Sequence, residues 1–153
     1  MTARVKAFPP LVGAIGVLVG LGLTYLYPVP IVAPPTTLVL VGVGIVLILS
    51  FLALAISANV TFRKTGTPAN PYAETKALTT RGPYGFTRNP MYLGLVLATV
   101  GIGLVMNSMW LVLVAVATML TLRNLVIVHE ERYLEEKFGD DYRGYKQRVR
   151  RWL

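Results

Sequence analysis

Apolar and polar residues are grouped in long blocks along this chain. Residues 7–62 and 89–122 contain no charged side chain, whereas the N-terminus, residues 63–88 and residues 123–153 hold all 15 Lys and Arg. A membrane-spanning helix needs about 20 apolar residues, and a charge at the bilayer centre costs at least about 2.5 kcal/mol. Each uncharged block therefore predicts two buried helices, and the chain is expected to be an integral membrane protein.

Turn-forming residues divide the two uncharged blocks into four predicted spans. Prolines end the first helix, and only two residues, Asn107-Ser108, separate the last two helices in a tight hairpin. Thr36 is a candidate N-cap for the second helix, which is expected to end at Asn59 or Phe62. The spans are predicted at residues 9–27, 36–59, 90–106 and 109–128. Residues 1–153 are thus expected to form one all-α membrane domain made of two helical hairpins.

The polar segments are expected to form a loop at residues 63–88 and a helical tail at residues 129–153. The fourth helix is predicted to continue to Phe138 and end at Gly139, followed by a final basic helix over residues 142–152. Because Lys and Arg favour cytoplasmic segments, both termini and the loop are assigned to the cytoplasm. With no targeting appendage recognised, a prokaryotic cytoplasmic membrane is expected. The oligomeric state is left open.

Composition narrows the possible chemistry. The chain has no Cys and a single His, His129. Disulfides, a thiol nucleophile and thiolate metal sites are therefore excluded, and no metal site is predicted. The net charge of +8 lies in the segments flanking the spans, where attraction to anionic lipid explains it better than nucleic acid does. Gly13, Gly16 and Gly20 share one side of the first helix and predict close packing within the monomer, with a dimer motif as the alternative.

The stretch from Arg81 to Gly94 reads R-G-P-Y-G-F-T-R-N-P-M-Y-L-G. Asn89 is a candidate N-cap, and Pro90 then occupies the first position of the third helix. A helix N-terminus offers free backbone N–H groups and a partial positive charge. With Arg81 and Arg88 beside it, this helix start would suit a carboxylate or phosphate. The alternative is that both arginines extend to lipid headgroups.

The tail offers a second candidate constellation. Arg123 and Glu130 share a helical face by their spacing, and Glu131 points about a hundred degrees away. Tyr142 and Tyr145 are three residues apart on one face. The alternatives are a solvated charged face, a structural Arg123–Glu130 pair, and interfacial packing of the tyrosines.

The two constellations together resemble a known family. R-N-P-M-Y-L-G, an apolar hairpin and then E-E-R-Y-L-E-E-K-F-G-D-D-Y-R-G-Y are similar to isoprenylcysteine carboxyl methyltransferase, whose wider circle includes phospholipid methyltransferases. The pattern in that family is R-H-P-x-Y-x-G, then E-E, then F-G-x-x-Y-x-x-Y. The resemblance covers residues 62–153. It implies S-adenosylmethionine as cofactor, bound between the loop and the C-terminal helices, and a lipophilic small-molecule or lipid substrate that enters from the bilayer.

The resemblance also implies roles for individual residues. Arg88, Asn89 and Arg123 are the catalytic candidates, with Arg123 placed to attract an anionic substrate group. The cofactor-binding candidates are Gly82, Tyr84, Asn89, Pro90, Tyr92, Gly94, Glu130, Glu131, Tyr142 and Tyr145. Asn89 stands where the family has His, and an amide does not titrate near neutral pH. An acid–base role of that His is therefore not expected here, and specificity for prenylcysteine is not carried over.

Two other classes of protein compete with the methyltransferase. Sterol reductases, which use a nicotinamide cofactor, have a similar R-H-P-N-Y motif and a basic tail. The Glu130-Glu131 pair and Met91 favour the methyltransferase. A non-enzymatic membrane scaffold is the third possibility. The sequence does not identify the methyl acceptor.

Overall fold

The regular elements of the chain are helices. A computed structural model describes residues 5–33, 37–65 and 77–153, and the predicted all-α fold is confirmed in these ranges. The α-helices are α1 (Pro9–Leu26), α2 (Thr37–Thr65), α3 (Pro90–Val105), α4 (Met109–Leu122) and α5 (Val128–Arg148). A 3-10 turn (Gly82–Gly85) precedes α3, and a π-helical segment (Arg123–Ile127) joins α4 to α5.

Three helical stretches are long and apolar enough to cross a membrane. They are α1, α2 and the continuous helix that begins with α4, while α3 is apolar but shorter. Their outward faces carry large apolar side chains, such as Leu38, which is 82% exposed, and Leu18, which is 67% exposed. In water such surfaces would be unfavourable, but lipid solvates them. The chain is therefore an integral membrane protein, as its charge pattern predicts.

Glycines set the distances between the apolar helices. Helix α2 packs along α3, α1 packs along α4, and α3 contacts α4. A Cβ atom on Gly44 would lie 2.6 Å from the carbonyl oxygen of Gly101, and one on Gly13 would lie 2.6 Å from Leu95. Gly16 and Gly20 face Thr118 and Leu111 in the same way. The predicted packing within one monomer is therefore confirmed for the glycines of α1.

The turn between α3 and α4 is as tight as the sequence predicts. Asn107 adopts a positive φ of 49°, a conformation that Asn tolerates better than most residues. Its side-chain amide donates to the carbonyl of Val32 at 2.9 Å and accepts from the N–H groups of Ile31 and Val32 at 3.0 and 3.1 Å. This amide thereby joins the two ends of the predicted hairpins on one side of the molecule.

Two predicted helix ends are wrong. Helix α2 passes both Asn59 and Phe62 and ends at Thr65; the side chain of Asn59 donates to the carbonyl of Ala55 one turn back, so its polar group is satisfied inside the helix. The final helix ends at Arg148 rather than at residue 152, and Val149 is extended. Gly139 does interrupt α5, with a φ of 53°. The predicted N-cap Thr36 and residues 66–76 of the predicted loop lie outside the described ranges.

The π-helical segment is a feature that the sequence analysis missed. The fourth helix continues toward Phe138 as predicted, but it widens over Arg123–Ile127. The carbonyl of Leu125 accepts the backbone N–H of Lys6 at 2.9 Å, which connects the N-terminal segment to this point. The wider turn also rotates the following residues relative to α4, and among the described residues no ion pair joins Arg123 to Glu130.

Gly44→Ala should destabilise the protein, whereas Gly42→Ala on the same helix should not. The added methyl at position 44 meets the backbone of α3, while nothing lies within 4 Å of a Cβ at position 42. Ala is normally favoured over Gly in a helix by about 1 kcal/mol. Gly44→Ala should therefore lower the melting temperature in detergent, whereas Gly42→Ala should leave it unchanged or raise it. Equal melting temperatures would contradict the close α2–α3 contact.

Candidate functional site

The C-terminal segment lies across the residues that lead into α3. The backbone N–H of Arg88 donates to the carbonyl of Arg150 at 2.9 Å. The carbonyl of Arg151 accepts from the hydroxyl of Thr87 at 3.2 Å and from the side-chain amide of Asn89 at 2.9 Å. The R-N-P motif and the tail, which are far apart in sequence, therefore meet at the polar end of the helices.

Asn89 does not act as the predicted side-chain N-cap. Its side chain makes no capping bond to the start of α3, because its amide N–H₂ is directed to Arg151. Pro90 does occupy the first helical position and is buried. The backbone carbonyl of Asn89 accepts the N–H of Leu93 at 2.9 Å, so the helix begins where predicted although the cap differs.

A buried cluster of charges forms behind this junction. The carboxylate of Glu131 lies 3.2 Å from Nη2 of Arg88. Arg151 donates to the same carboxylate from Nε at 3.0 Å and from Nη2 at 2.6 Å. The side chains of Arg88 and Glu131 are each 10% exposed. Two positive charges therefore share one negative charge in a largely dry environment.

Arg88 retains hydrogen-bond donors that are not used. Among the described residues, its buried Nε and Nη1 atoms have no hydrogen-bond partner. A buried donor left unpaired is unfavourable by about 1–3 kcal/mol, and more for a charged group. A carboxylate accepts charge-assisted hydrogen bonds from guanidinium N–H groups. Arg88 therefore provides a site of the kind that an anionic ligand group would satisfy.

Glu130 lies beside this cluster and has a different environment. Its carboxylate accepts a hydrogen bond from the hydroxyl of Tyr92 at 2.8 Å. The pKa of Glu130 is raised to about 7, chiefly by burial; the hydrogen bond from Tyr92 acts to lower it, and the neighbouring charge of Glu131 acts to raise it. The two adjacent carboxyl groups thus differ: Glu131 is held by two arginines, whereas Glu130 can gain or lose a proton near neutral pH.

The predicted tyrosines form a packed support under the site. Tyr142 and Tyr145 are 2% and 4% exposed and pack with Val149. The hydroxyl of Tyr145 donates to the carbonyl of Tyr84 at 2.7 Å, and the ring of Tyr84 lies 5.1 Å from that of Phe62. Burial raises the pKa of Tyr145 to about 12, and it raises the pKa of Tyr84 and Tyr142 as well. All three phenols are therefore neutral hydrogen-bonding groups near pH 7.

The remaining predicted residues are more dispersed. Gly82, at a φ of 61°, approaches Thr61 of α2, where a Cβ atom would meet the hydroxyl at 2.8 Å. Gly94 is buried, and a Cβ atom there would contact Phe51 at 3.0 Å; its position is explained by helix packing. Arg123 is exposed on the π-helical segment. Among the described residues Glu130 bonds to Tyr92, and no ion pair joins it to Arg123.

Sequence reasoning missed Arg151 and Thr87. The basic end of the tail was interpreted as a lipid-facing helix, but Arg151 points to Glu131 and its carbonyl binds the R-N-P segment. Helical periodicity cannot reveal this contact because the chain leaves the helix at Val149. The one available signal was charge: a buried Glu131 requires a cation, and the tail is rich in arginine.

The fold and site define a class of protein: an integral membrane protein with a buried polar site at one end of its apolar helices. The model of the family described as phospholipid methyltransferase matches residues 39–141, and the chain belongs to this family of membrane methyltransferases. The resemblance seen in the sequence is thereby confirmed. Arg88, Asn89, Glu130 and Glu131 lie inside the matched range, whereas Arg151 lies beyond it.

Two curated proteins are similar in sequence to part of this chain. An uncharacterized protein from Haemophilus influenzae is 44% identical over 63 residues, which is 41% of this chain and 100% of that protein. Methanethiol S-methyltransferase 1 from Bradyrhizobium diazoefficiens is 42% identical over 66 residues, which is 43% of this chain and 22% of that enzyme. The chain thus spans the whole of the first relative and a minor part of the second. No solved structure matches the chain.

Substitutions at Asn89 should separate hydrogen-bond donation from titration. Asn89→Asp replaces the donor with a group that only accepts when ionised, so it faces the carbonyl of Arg151 without a bond. We expect a loss of about 1–3 kcal/mol in the free energy of unfolding, measured by denaturation in detergent. Asn89→His retains an N–H donor and should lose less. Equal losses for both variants would contradict the assigned donor role.

Proposed function

We propose that this protein transfers a methyl group from S-adenosylmethionine to a lipid or another lipophilic acceptor that reaches the site from the bilayer. The observation that carries the proposal is that two buried donors of Arg88, Nε and Nη1, have no partner among the described residues. The methionine part of the cofactor carries a carboxylate, which can accept a hydrogen bond from these donors. When bound, the cofactor supplies an electrophilic methyl group on a sulfonium centre.

The neighbouring groups match the rest of such a ligand. The start of α3 carries the partial positive charge of a helix N-terminus, which favours a negative group. Glu130 and Tyr92 together offer a carboxylate and a hydroxyl for ribose hydroxyls or the ammonium group. Glu131 contacts both Arg88 and Arg151, and its role in this proposal is to position these two arginines. Methyl transfer requires mainly alignment and exclusion of water, which a buried site at the membrane surface supplies.

The membrane arrangement is part of the proposal. In it, residues 9–27, 36–59, 90–106 and 109–128 form four spans of a single domain, in a prokaryotic cytoplasmic membrane with both termini in the cytoplasm. Support comes from the confinement of all Lys and Arg to the segments outside the spans. A site at this end of the helices receives a soluble cofactor from the cytoplasm and a lipophilic acceptor laterally.

The family favours methyl transfer over the two competing classes. The chain matches the phospholipid methyltransferase model, and one relative is named for methyl transfer to methanethiol. These names indicate nucleophilic acceptors of different chemistry in different proteins. For this chain, the lipid-facing helices favour a lipid or lipophilic acceptor over a freely soluble one.

Arg88→Met should abolish most cofactor affinity. The product S-adenosylhomocysteine carries the same carboxylate, so its binding to detergent-solubilised protein can be measured by calorimetry. We expect affinity to fall at least about tenfold, because two hydrogen bonds to a charged group are lost. Arg81→Met, which alters an exposed arginine, is the matched control and should bind normally. No binding to the unaltered protein, or displacement by a nicotinamide cofactor, would exclude the proposal.

Cofactor affinity should rise with pH through the titration of Glu130. Burial raises the pKa of this carboxyl from 4.5 to about 7, so it is largely protonated at pH 6 and ionised at pH 8. In the ligand-free protein, a carboxyl with a raised pKa lowers the free energy of unfolding as the pH increases from about 4.5 to about 7. If the ionised form accepts bonds from the ligand, affinity at pH 8 should exceed affinity at pH 6 by about tenfold.

Glu130→Gln is the control for this pH dependence. Its side chain preserves an oxygen that accepts from Tyr92 but does not titrate. The affinity of this variant for S-adenosylhomocysteine, measured calorimetrically from pH 6 to pH 8, should be nearly constant. A pH dependence as steep as that of the unaltered protein would assign the titration to another group.

A further inference from the structure

Glu131 is bound unequally by its two arginines. Arg151 engages both carboxylate oxygens, from Nε at 3.0 Å and from Nη2 at 2.6 Å. Arg88 contacts one oxygen through Nη2 at 3.2 Å, and its Nε and Nη1 have no partner among the described residues. A buried guanidinium next to a carboxylate would ordinarily form a two-pronged pair with it. Here that pairing is made by Arg151 instead.

We propose that Arg151 is a positioning residue that occupies Glu131 and thereby keeps Nε and Nη1 of Arg88 available to an anionic ligand group. The proposal rests on the proposed function only for the identity of that ligand. Arg151 does not contact the ligand in this scheme. It acts through Glu131, by preventing this carboxylate from forming a two-pronged pair with Arg88, which would use Nη2 together with one of the two donors that the ligand needs.

The charges favour the same conclusion. Arg88 and Arg151 together carry two positive charges, and Glu131 compensates one of them. While the neighbouring Glu130 is protonated, the cluster therefore retains one positive charge beside the two donors of Arg88 that have no partner among the described residues, and the side chain of Arg88 is nine-tenths buried. An isolated buried charge is strongly unfavourable, and one carboxylate or phosphate group would neutralise it. Without Arg151, the charges of Arg88 and Glu131 would neutralise each other, and the cluster would no longer favour binding of an external anion.

The backbone explains why Arg151 can hold this position. Its carbonyl accepts hydrogen bonds from Thr87 and Asn89 on either side of Arg88, and Val149 is anchored in the cluster of Tyr142 and Tyr145. The guanidinium of Arg151 is thus delivered to Glu131 from a fixed point. Arg150, its neighbour, is exposed and contributes its backbone carbonyl to Arg88.

The test compares Arg151→Met with Arg151→Met/Glu131→Gln in the full-length protein. In the single variant, Glu131 is free to pair with Arg88, so the affinity for S-adenosylhomocysteine should fall by about tenfold or more. In the double variant, the amide no longer competes as an anion, and the affinity should recover to within about threefold of the original. Arg150→Met is the matched control and should bind like the unaltered protein.

A purely structural role of Arg151 gives a different pattern. If the side chain only anchors the tail, the double variant should bind as weakly as the single variant or more weakly, and this result would overturn the proposal. Undiminished affinity in Arg151→Met would also overturn it. Melting temperatures in detergent, measured for all four proteins, identify any variant that has lost its fold; for such a variant, Arg151→Gln, alone and with Glu131→Gln, replaces the Met substitution, because Gln is neutral but still polar.

A second readout does not depend on S-adenosylmethionine. Acetate replaces chloride at constant ionic strength, and the resulting change in melting temperature reports carboxylate binding. We expect acetate to stabilise the unaltered protein and the double variant more than Arg151→Met or Arg88→Met. If acetate gives this pattern but S-adenosylhomocysteine does not bind, the proposed function is refuted, whereas the proposed role of Arg151 is supported. Equal responses of all variants to acetate would refute that role.

Discussion

The polar end of this protein depends on how one buried carboxylate is shared. Glu131 lies between Arg88, from the segment that leads into α3, and Arg151, from the segment after α5. Removing Glu131 would leave both arginines without a compensating charge, which is strongly unfavourable for a buried group. The interaction therefore fixes the tail to the R-N-P motif, and it also determines which donors of Arg88 remain free.

The apolar helices make that cluster possible by holding its parts rigidly. Contacts such as Gly44 with Gly101 bring α2 and α3 so close that a methyl group would collide with backbone. The packing of the apolar helices therefore fixes the position of Arg88 and Asn89, which directly precede α3. The tail reaches the same place through the packed rings of Tyr142 and Tyr145. The polar site is thus supported on one side by glycine packing and on the other by aromatic packing.

Different predictions succeeded for different physical reasons. The apolar helices followed from the distribution of charge, and the tight turn at Asn107 followed from its length and residue type. The side-chain cap at Asn89 was wrong because the amide has a better placed partner in the carbonyl of Arg151, which is distant in sequence. The π-helical segment within the continuous fourth helix was not predicted, because such a segment gives no strong sequence signal; in it the carbonyl of Leu125 accepts the N–H of Lys6 from the N-terminal segment.

The sequence alone determined the apolar character of the helices, the approximate ends of most of them, and the two motifs that point to a membrane methyltransferase. These properties are local, because hydrophobicity, glycine, proline and short spacings act within one element. The tertiary structure decided that Glu131 holds arginines, that Glu130 bonds to Tyr92, and that Arg151 belongs to the site. Such partnerships depend on burial and on contacts between distant segments, and no local pattern encodes which of several arginines reaches a given carboxylate.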